Sequence, residues 1–155
     1  MEPTYDEATA YHEAGHAVVA LALGRPVRQV SVLPDRQHLG HCEFGKGVFR
    51  PSEDWLEREM LIALGGIAAE ARHTGEYAWD GAARDRRYVY QLAVQRAGER
   101  RAERLQRRLL AKAEHLLALE AHWRAVELIV AELLRRGEIS GRTATHLFER
   151  GCQEC

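Results

Sequence analysis

Residues Thr9–Gly24 read TAYHEAGHAVVALALG, and within them His12-Glu13-Ala14-Gly15-His16 forms an H-E-x-x-H. The surrounding segment reads as a helix from Thr4 to Leu23. Thr4 or Asp6 can cap its start, and Gly24 with Pro26 stops it. Residues four apart lie on one helix face, one turn apart. His12 and His16 can therefore reach one metal ion, with Zn–N bonds of about 2.0–2.1 Å. Glu13 stands beside the first histidine. It can take a proton from a water on the metal without binding the metal, and zinc brings such a water's pKa to about 7. Ala14 and Gly15 are small and leave room for another segment beneath. A five-residue pattern also arises by chance on solvated helices. Here the apolar Ala17-Val18-Val19-Ala20 follows directly, which places the motif at the edge of a core.

A catalytic zinc needs a third protein ligand and an open fourth position. No H-E-x-x-H-x-x-G-x-x-H extension follows, so this ligand comes from far along the chain. Asp80, Asp85, Glu70 and His73 are the candidates, and spacing does not choose among them.

Downstream, VRQVSVL at Val27–Leu33 alternates apolar and polar residues as a strand does. Pro34-Asp35 turns the chain, and LGHCEF at Leu39–Phe44 returns as a second short strand. This hairpin has two readings of equal standing. It either covers the metal helix or holds an extended substrate along Val30–Leu33 or Leu39–Phe44. Pro51-Ser52 suits the boundary of a second helix, with Glu53 and Asp54 complementing its dipole, and the helix continues to about His73. Gly65-Gly66 lies in its middle, where each glycine costs about 1 kcal/mol against alanine. Another backbone packed closely there would explain the pair. Gly75–Gly81 is a turn. Residues Ala82–Cys155 follow a helical pattern, broken near Gly98, near Ala121-His122 and at Gly137. Ser140 caps a last helix to Arg150, which Gly151 ends. The expectation is one mainly α domain over residues 1–155 with one small β-hairpin or sheet, and 151–155 as a flexible tail.

Composition narrows the function classes. Apolar residues are 46% of the 155, enough for a core, and the net charge of −1 gives no global field toward nucleic acid or membrane. The longest apolar stretch, Ala17–Leu23, is too short to span a bilayer. The acidic MEPTYDEATA start has no basic n-region of a secretory signal, and three cysteines make no disulfide framework, so a cytoplasmic setting is expected. Residues 84–108 carry nine arginines and three acids, a balance of +6 that leaves −7 for the remainder. The Arg84–Arg108 face suits an acidic protein partner better than nucleic acid, since no recognition motif appears. Its bland alternative is a solvated helix with i,i+4 pairs such as Glu99–Glu103–Arg107. The terminal Cys152-Gln153-Glu154-Cys155 lacks a second pair, and a frayed tail is its default reading. His38 and His41 on the hairpin either line a cleft or, as the commoner case, are surface residues, and His115, His122 and His146 in helices read as packing or surface histidines.

The ordered set TAYHEAGHAVVALALG, VRQVSVLP, LGHCEF, ALGGIAAEARHTGE (Ala63–Glu76), GAARD (Gly81–Asp85) and RRGEISGRTATHLF (Arg135–Phe148) resembles the peptidase domain of FtsH-type ATP-dependent zinc metallopeptidases. The resemblance implies a helical zinc-metallopeptidase fold, with Zn2+ held by His12, His16 and Asp85 and with Glu13 catalytic. Asp85 is singled out because it ends the family's G-A-x-N-D pattern. Arg84 stands where that pattern has asparagine, which alters the surroundings of Asp85. The 155 residues contain no P-loop. The expected activity is therefore ATP-independent endopeptidase cleavage of peptides or unstructured protein segments. The competing reading is a non-catalytic zinc-containing interaction module. The intact Glu13, which a structural site does not need, favours the enzyme.

Overall fold

The histidine-bearing helix α1 runs Glu7–Ala22 in the computed structural model, which describes residues 4–47 and 54–154. Of the two expected caps, Asp6 serves: its carboxylate accepts from the Thr9 amide at 2.9 Å. Every residue from 13 to 20 is buried. A helix covered on all sides is a core element, not a surface one. α1 packs against four of the five helices described below and against the sheet.

Val27–Ser31 forms β1 and His41–Phe44 forms β2, antiparallel, with Val30 opposite Cys42. The sheet has a third strand that periodicity did not reveal. β3, Glu138–Ser140, pairs antiparallel with the other edge of β1, placing Ile139 opposite Val30. Gly137 at φ +82° lets the chain leave a helix and re-enter the sheet at once. Three residues are too few to show a period of two. The strand order β2-β1-β3 leaves β1 in the middle, so only β2 and β3 have a free edge.

α2 spans Trp55–Thr74, with the Asp54 carboxylate accepting from the Glu57 amide at 3.1 Å and Gly75 ending it at φ +92°. The expected start at Pro51-Ser52 lies outside the described residues. α3 (Ala83–Ala97), α4 (Glu99–Ala118), α5 (Glu120–Arg136) and α6 (Gly141–Gln153) complete a mainly α architecture with one small antiparallel sheet. The α4–α5 break falls at Leu119, not at Ala121-His122. His122 belongs to α5 and donates from Nδ1 to the Leu116 carbonyl at 2.7 Å, satisfying the end of α4. Gly151 does not end α6, which continues to Gln153. A Cβ on Gly151 would meet the Ala125 backbone at 2.7 Å, so this glycine permits helix contact with α5 and terminates nothing.

The glycine pair of α2 marks the expected close approach. A Cβ on Gly15 would lie 2.4 Å from the Gly65 carbonyl oxygen and 2.5 Å from the Ala69 methyl. One on Gly65 would lie 2.6 Å from Val19, and one on Gly66 would lie 2.4 Å from the His16 ring. Alanine at these positions gains about 1 kcal/mol of helix propensity. It also meets fixed backbone or a buried ring, and overpacking of that kind costs about 1–3 kcal/mol. Gly15→Ala and Gly65→Ala are therefore expected to lower stability in chemical denaturation. Gly81→Ala, whose new methyl meets nothing nearer than 3.7 Å, is expected to leave it within about 0.5 kcal/mol.

Candidate metal centre

Both histidines of α1 are oriented by α2. The Nδ1–H of His16 donates to the Ile62 carbonyl at 2.8 Å, and that of His12 donates to Glu70 Oε1 at 3.0 Å. These bonds fix the tautomer and turn both Nε2 atoms the same way. The first turn of α3 brings Asp85 to meet them. Its Oδ2 lies 2.8 Å from His12 Nε2 and 3.3 Å from His16 Nε2. Donors bound at about 2.0–2.1 Å to one tetrahedral centre stand roughly 3.3 Å apart. The Asp85 oxygen is thus already near the spacing of a shared cation from both nitrogens. Glu13, next to His12, places a carboxylate oxygen within 4.8 Å of the histidine nitrogens. Its Oε2 is buried and has no hydrogen-bond partner.

The electrostatics favour positive charge between these donors. Burial works against a charged His12, but hydrogen bonds to Asp85 and Glu70 outweigh it and raise its pKa to about 10. His16 is raised as well, its burial overcome by the Asp85 charge. Burial would lift Asp85, yet the two histidines hold its carboxyl well below the usual range. Glu13 is raised, chiefly by burial. Two imidazoles and one carboxylate suit zinc with an open fourth position, and the unpartnered Glu13 oxygen beside them suits the use of that position.

Among the remaining candidates for third ligand, Glu70 sits on the far side of the His12 ring as its hydrogen-bond partner. His73 pairs with Glu7 at 3.0 Å and stacks on Tyr11. Asp80 is exposed in the turn before α3. The donors open into a cleft of about 390 Å³ walled on one side by β2 and the loop before it. His38 and His41, read from sequence as cleft-lining or surface residues, both line this cleft, as does Cys42. Cleft lining is thus the reading of the two that the fold favours for both histidines. The i,i+4 pairs expected along α4 do not form among the described residues. Arg101, Arg104 and Arg108 instead line a groove of about 640 Å³ with Arg96, which pairs with Asp54 at 2.9 Å. The terminal C-x-x-C is described only in part: Cys152 is a free, exposed thiol, and Cys155 lies outside the described residues.

The sequence model of Peptidase family M41 matches residues 1–100. The mitochondrial inner membrane m-AAA protease component AFG3L1 of Mus musculus is 35% identical over 96 residues, 60% of this chain and 12% of that protein. The chloroplastic ATP-dependent zinc metalloprotease FTSH of Medicago sativa is 36% identical over 98 residues, covering 56% of this chain and 13% of its own length. ATP-dependent zinc metalloprotease FtsH 3 of Synechocystis is 37% identical over 99 residues, with 56% and 15% covered. The chain thus spans 12–15% of the length of these three relatives.

Titration with zinc is expected to show about one equivalent bound per chain. Chelation is expected to lower the melting temperature and zinc to restore it, since a ligand of the folded state stabilises that state. Calorimetry before and after chelation checks both. Glu70→Ala is expected to weaken zinc affinity about 10–100-fold by releasing the His12 ring, whereas Asp80→Ala leaves it unchanged.

Proposed function

The chain belongs to peptidase family M41, and on that premise we propose that it is a zinc-dependent endopeptidase acting on peptides and unstructured protein segments. The observation that carries this reading is the buried, unpartnered Oε2 of Glu13 beside two histidines and Asp85 with converging donor atoms. An unsatisfied buried oxygen costs about 1–3 kcal/mol, so its retention calls for a use. His12, His16 and Asp85 are the residues that would hold the metal. Bound zinc supplies a Lewis acid that makes water a nucleophile at neutral pH and polarises the scissile carbonyl.

The chain's own residues supply the rest. Glu13 accepts the proton that water loses as its oxygen bonds to the carbonyl carbon. It then passes that proton to the departing nitrogen as the C–N bond breaks. Glu70 and the Ile62 carbonyl hold the two imidazoles in register throughout. β2 offers its unpaired edge to an extended substrate, and its residues His41, Cys42 and Phe44 line the cleft. Of the two segments weighed from sequence for this role, Val30 belongs to the doubly paired β1, which leaves β2. No step in this scheme consumes nucleotide, so cleavage of an already extended chain proceeds without ATP. Among the described residues no helix is long and apolar enough to cross a membrane, and the scheme requires none.

Glu13→Gln tests the assignment. It keeps shape but cannot accept the proton at neutral pH. The expected outcome is a folded protein that still binds zinc and cleaves an unstructured protein such as casein about 10²–10⁴-fold more slowly than the parent. Equal rates for the two would remove Glu13 from the mechanism. A zinc-loaded parent that cleaves nothing in a broad peptide library would remove the peptidase reading.

A further inference from the structure

Arg84, where the resembling family pattern has asparagine, lies one residue before Asp85 in the first turn of α3 and lines the same cleft as His12, Glu13 and His16. Its guanidinium is held from across the cleft mouth. One terminal N–H donates to His38 Nε2. The other side of that ring rests on Asp35, with Nδ1 at 3.2 Å from Oδ1. Asp35 is fixed in turn, since its Oδ1 accepts from the amides of Gln37 and His38 at 2.7 Å each. With the Nδ1–H of His38 directed at Asp35, the Nε2 lone pair is free to accept from Arg84. The relay Asp35–His38–Arg84 therefore positions the guanidinium at the rim of the cleft instead of leaving it in solvent.

What this guanidinium lacks is a counter-ion. Among the described residues no carboxylate pairs with Arg84. Asp85 is turned to the two histidines and Glu70 to His12. Arginine has five N–H donors in a planar fork that matches a carboxylate with two parallel bonds. Only one donor is used by His38. The start of α3 adds donors: Ala82 provides no side-chain cap to the first amides of this 15-residue helix.

We propose that Arg84 binds a carboxylate of the peptide substrate and so makes the cleft selective for acidic peptides. This rests on the peptidase reading of the same site. Because Arg84 adjoins Asp85, the bound carboxylate belongs within a residue or two of the scissile bond, consecutive Cα atoms being 3.8 Å apart. Two sources share this chemistry, the free α-carboxylate at a peptide's C-terminus and the side chain of Asp or Glu.

The experiment uses four fluorescein-labelled versions of one peptide, with Glu or Gln near the cleavage point and a free or amidated C-terminus. Binding is read by anisotropy on zinc-loaded Glu13→Gln protein, and cleavage by mass spectrometry on the parent. Bonds to charged groups are the strong ones, so the carboxylate version is expected to bind about tenfold or more tightly than its neutral counterpart. Added as a second substitution to Glu13→Gln, Arg84→Asn is expected to abolish that preference and Arg84→Lys to keep part of it. Melting temperature and zinc content confirm that both variants remain folded and loaded. His38→Gln, which loosens the relay, is expected to reduce the preference. A preference between free and amidated termini identifies the α-carboxylate as the source; one between Glu and Gln identifies the side chain. Equal binding of all four peptides overturns the proposal, as does a preference that survives Arg84→Asn. If the preference appears in binding while the parent cleaves nothing, the carboxylate site stands and the peptidase reading fails.

Discussion

The approach of α1 to α2 at Gly15 and Gly65 is the constraint from which the rest of the centre follows. With a side chain at either position the helices would separate by the width of a methyl group, since the new carbon would sit 2.4–2.6 Å from its neighbours. The anchoring hydrogen bonds of His12 and His16 are 3.0 and 2.8 Å long and reach α2 directly. Hydrogen bonds weaken steeply beyond about 3.2 Å. A separation of 1 Å would release both rings, and the Nε2 atoms would no longer converge on Asp85. Gly66 serves the same end by another route, because the His16 ring occupies the space its side chain would fill. The helix-propensity cost of two adjacent glycines in mid-helix, about 1 kcal/mol each, is thus a condition of the metal geometry.

Burial makes that geometry both demanding and effective. His16 and Glu13 are almost wholly removed from water, at 7% and 6% exposed. Charges so placed are tolerable only when paired. The pairing uses α1 for the histidines and Glu13, α2 for their Nδ1 partners and α3 for Asp85. Each element donates a different part, and none could assemble the centre alone. One oxygen, Glu13 Oε2, is left out of the pairing. Beside histidines and an aspartate that are all engaged, it is the local inconsistency that marks where chemistry occurs.

Much of this was legible in the sequence because the informative signals are local. H-E-x-x-H gives a helix face, the Gly65-Gly66 pair announces a close neighbour, and Asp6 and Asp54 sit where helices begin. Asp85 was not legible from spacing. Its separation of 69 residues from His16 is set by the packing of α3 against α2, and only the resemblance picked it out. Other features depend on partners that no window contains. β3 exists because Ile139 meets Val30, more than 100 residues away. Gly151 reads as a terminator but is a contact with Ala125. Glu70 is a possible ligand by residue type and position in sequence, but its place on the Nδ1 side of the His12 ring makes it that ring's hydrogen-bond partner. The Ile62 carbonyl that holds His16 has no side-chain signature at all.

The cleft also constrains what can enter it. β1 is paired on both sides, so β2 alone presents free backbone groups next to the donors. At about 3.3 Å per residue, its four residues offer an edge of roughly 13 Å, sufficient for three or four residues of an extended chain and for no folded element. A substrate aligned there has its carbonyls and amides satisfied by main-chain bonds that read no sequence. Selectivity must then come from the opposite wall, which is the first turn of α3. That turn holds Asp85, whose carboxylate is committed to the histidines, and Arg84, whose charge meets no carboxylate among the described residues. The same short segment therefore completes the centre and confronts whatever side chain or terminus lies beside the bond to be cut.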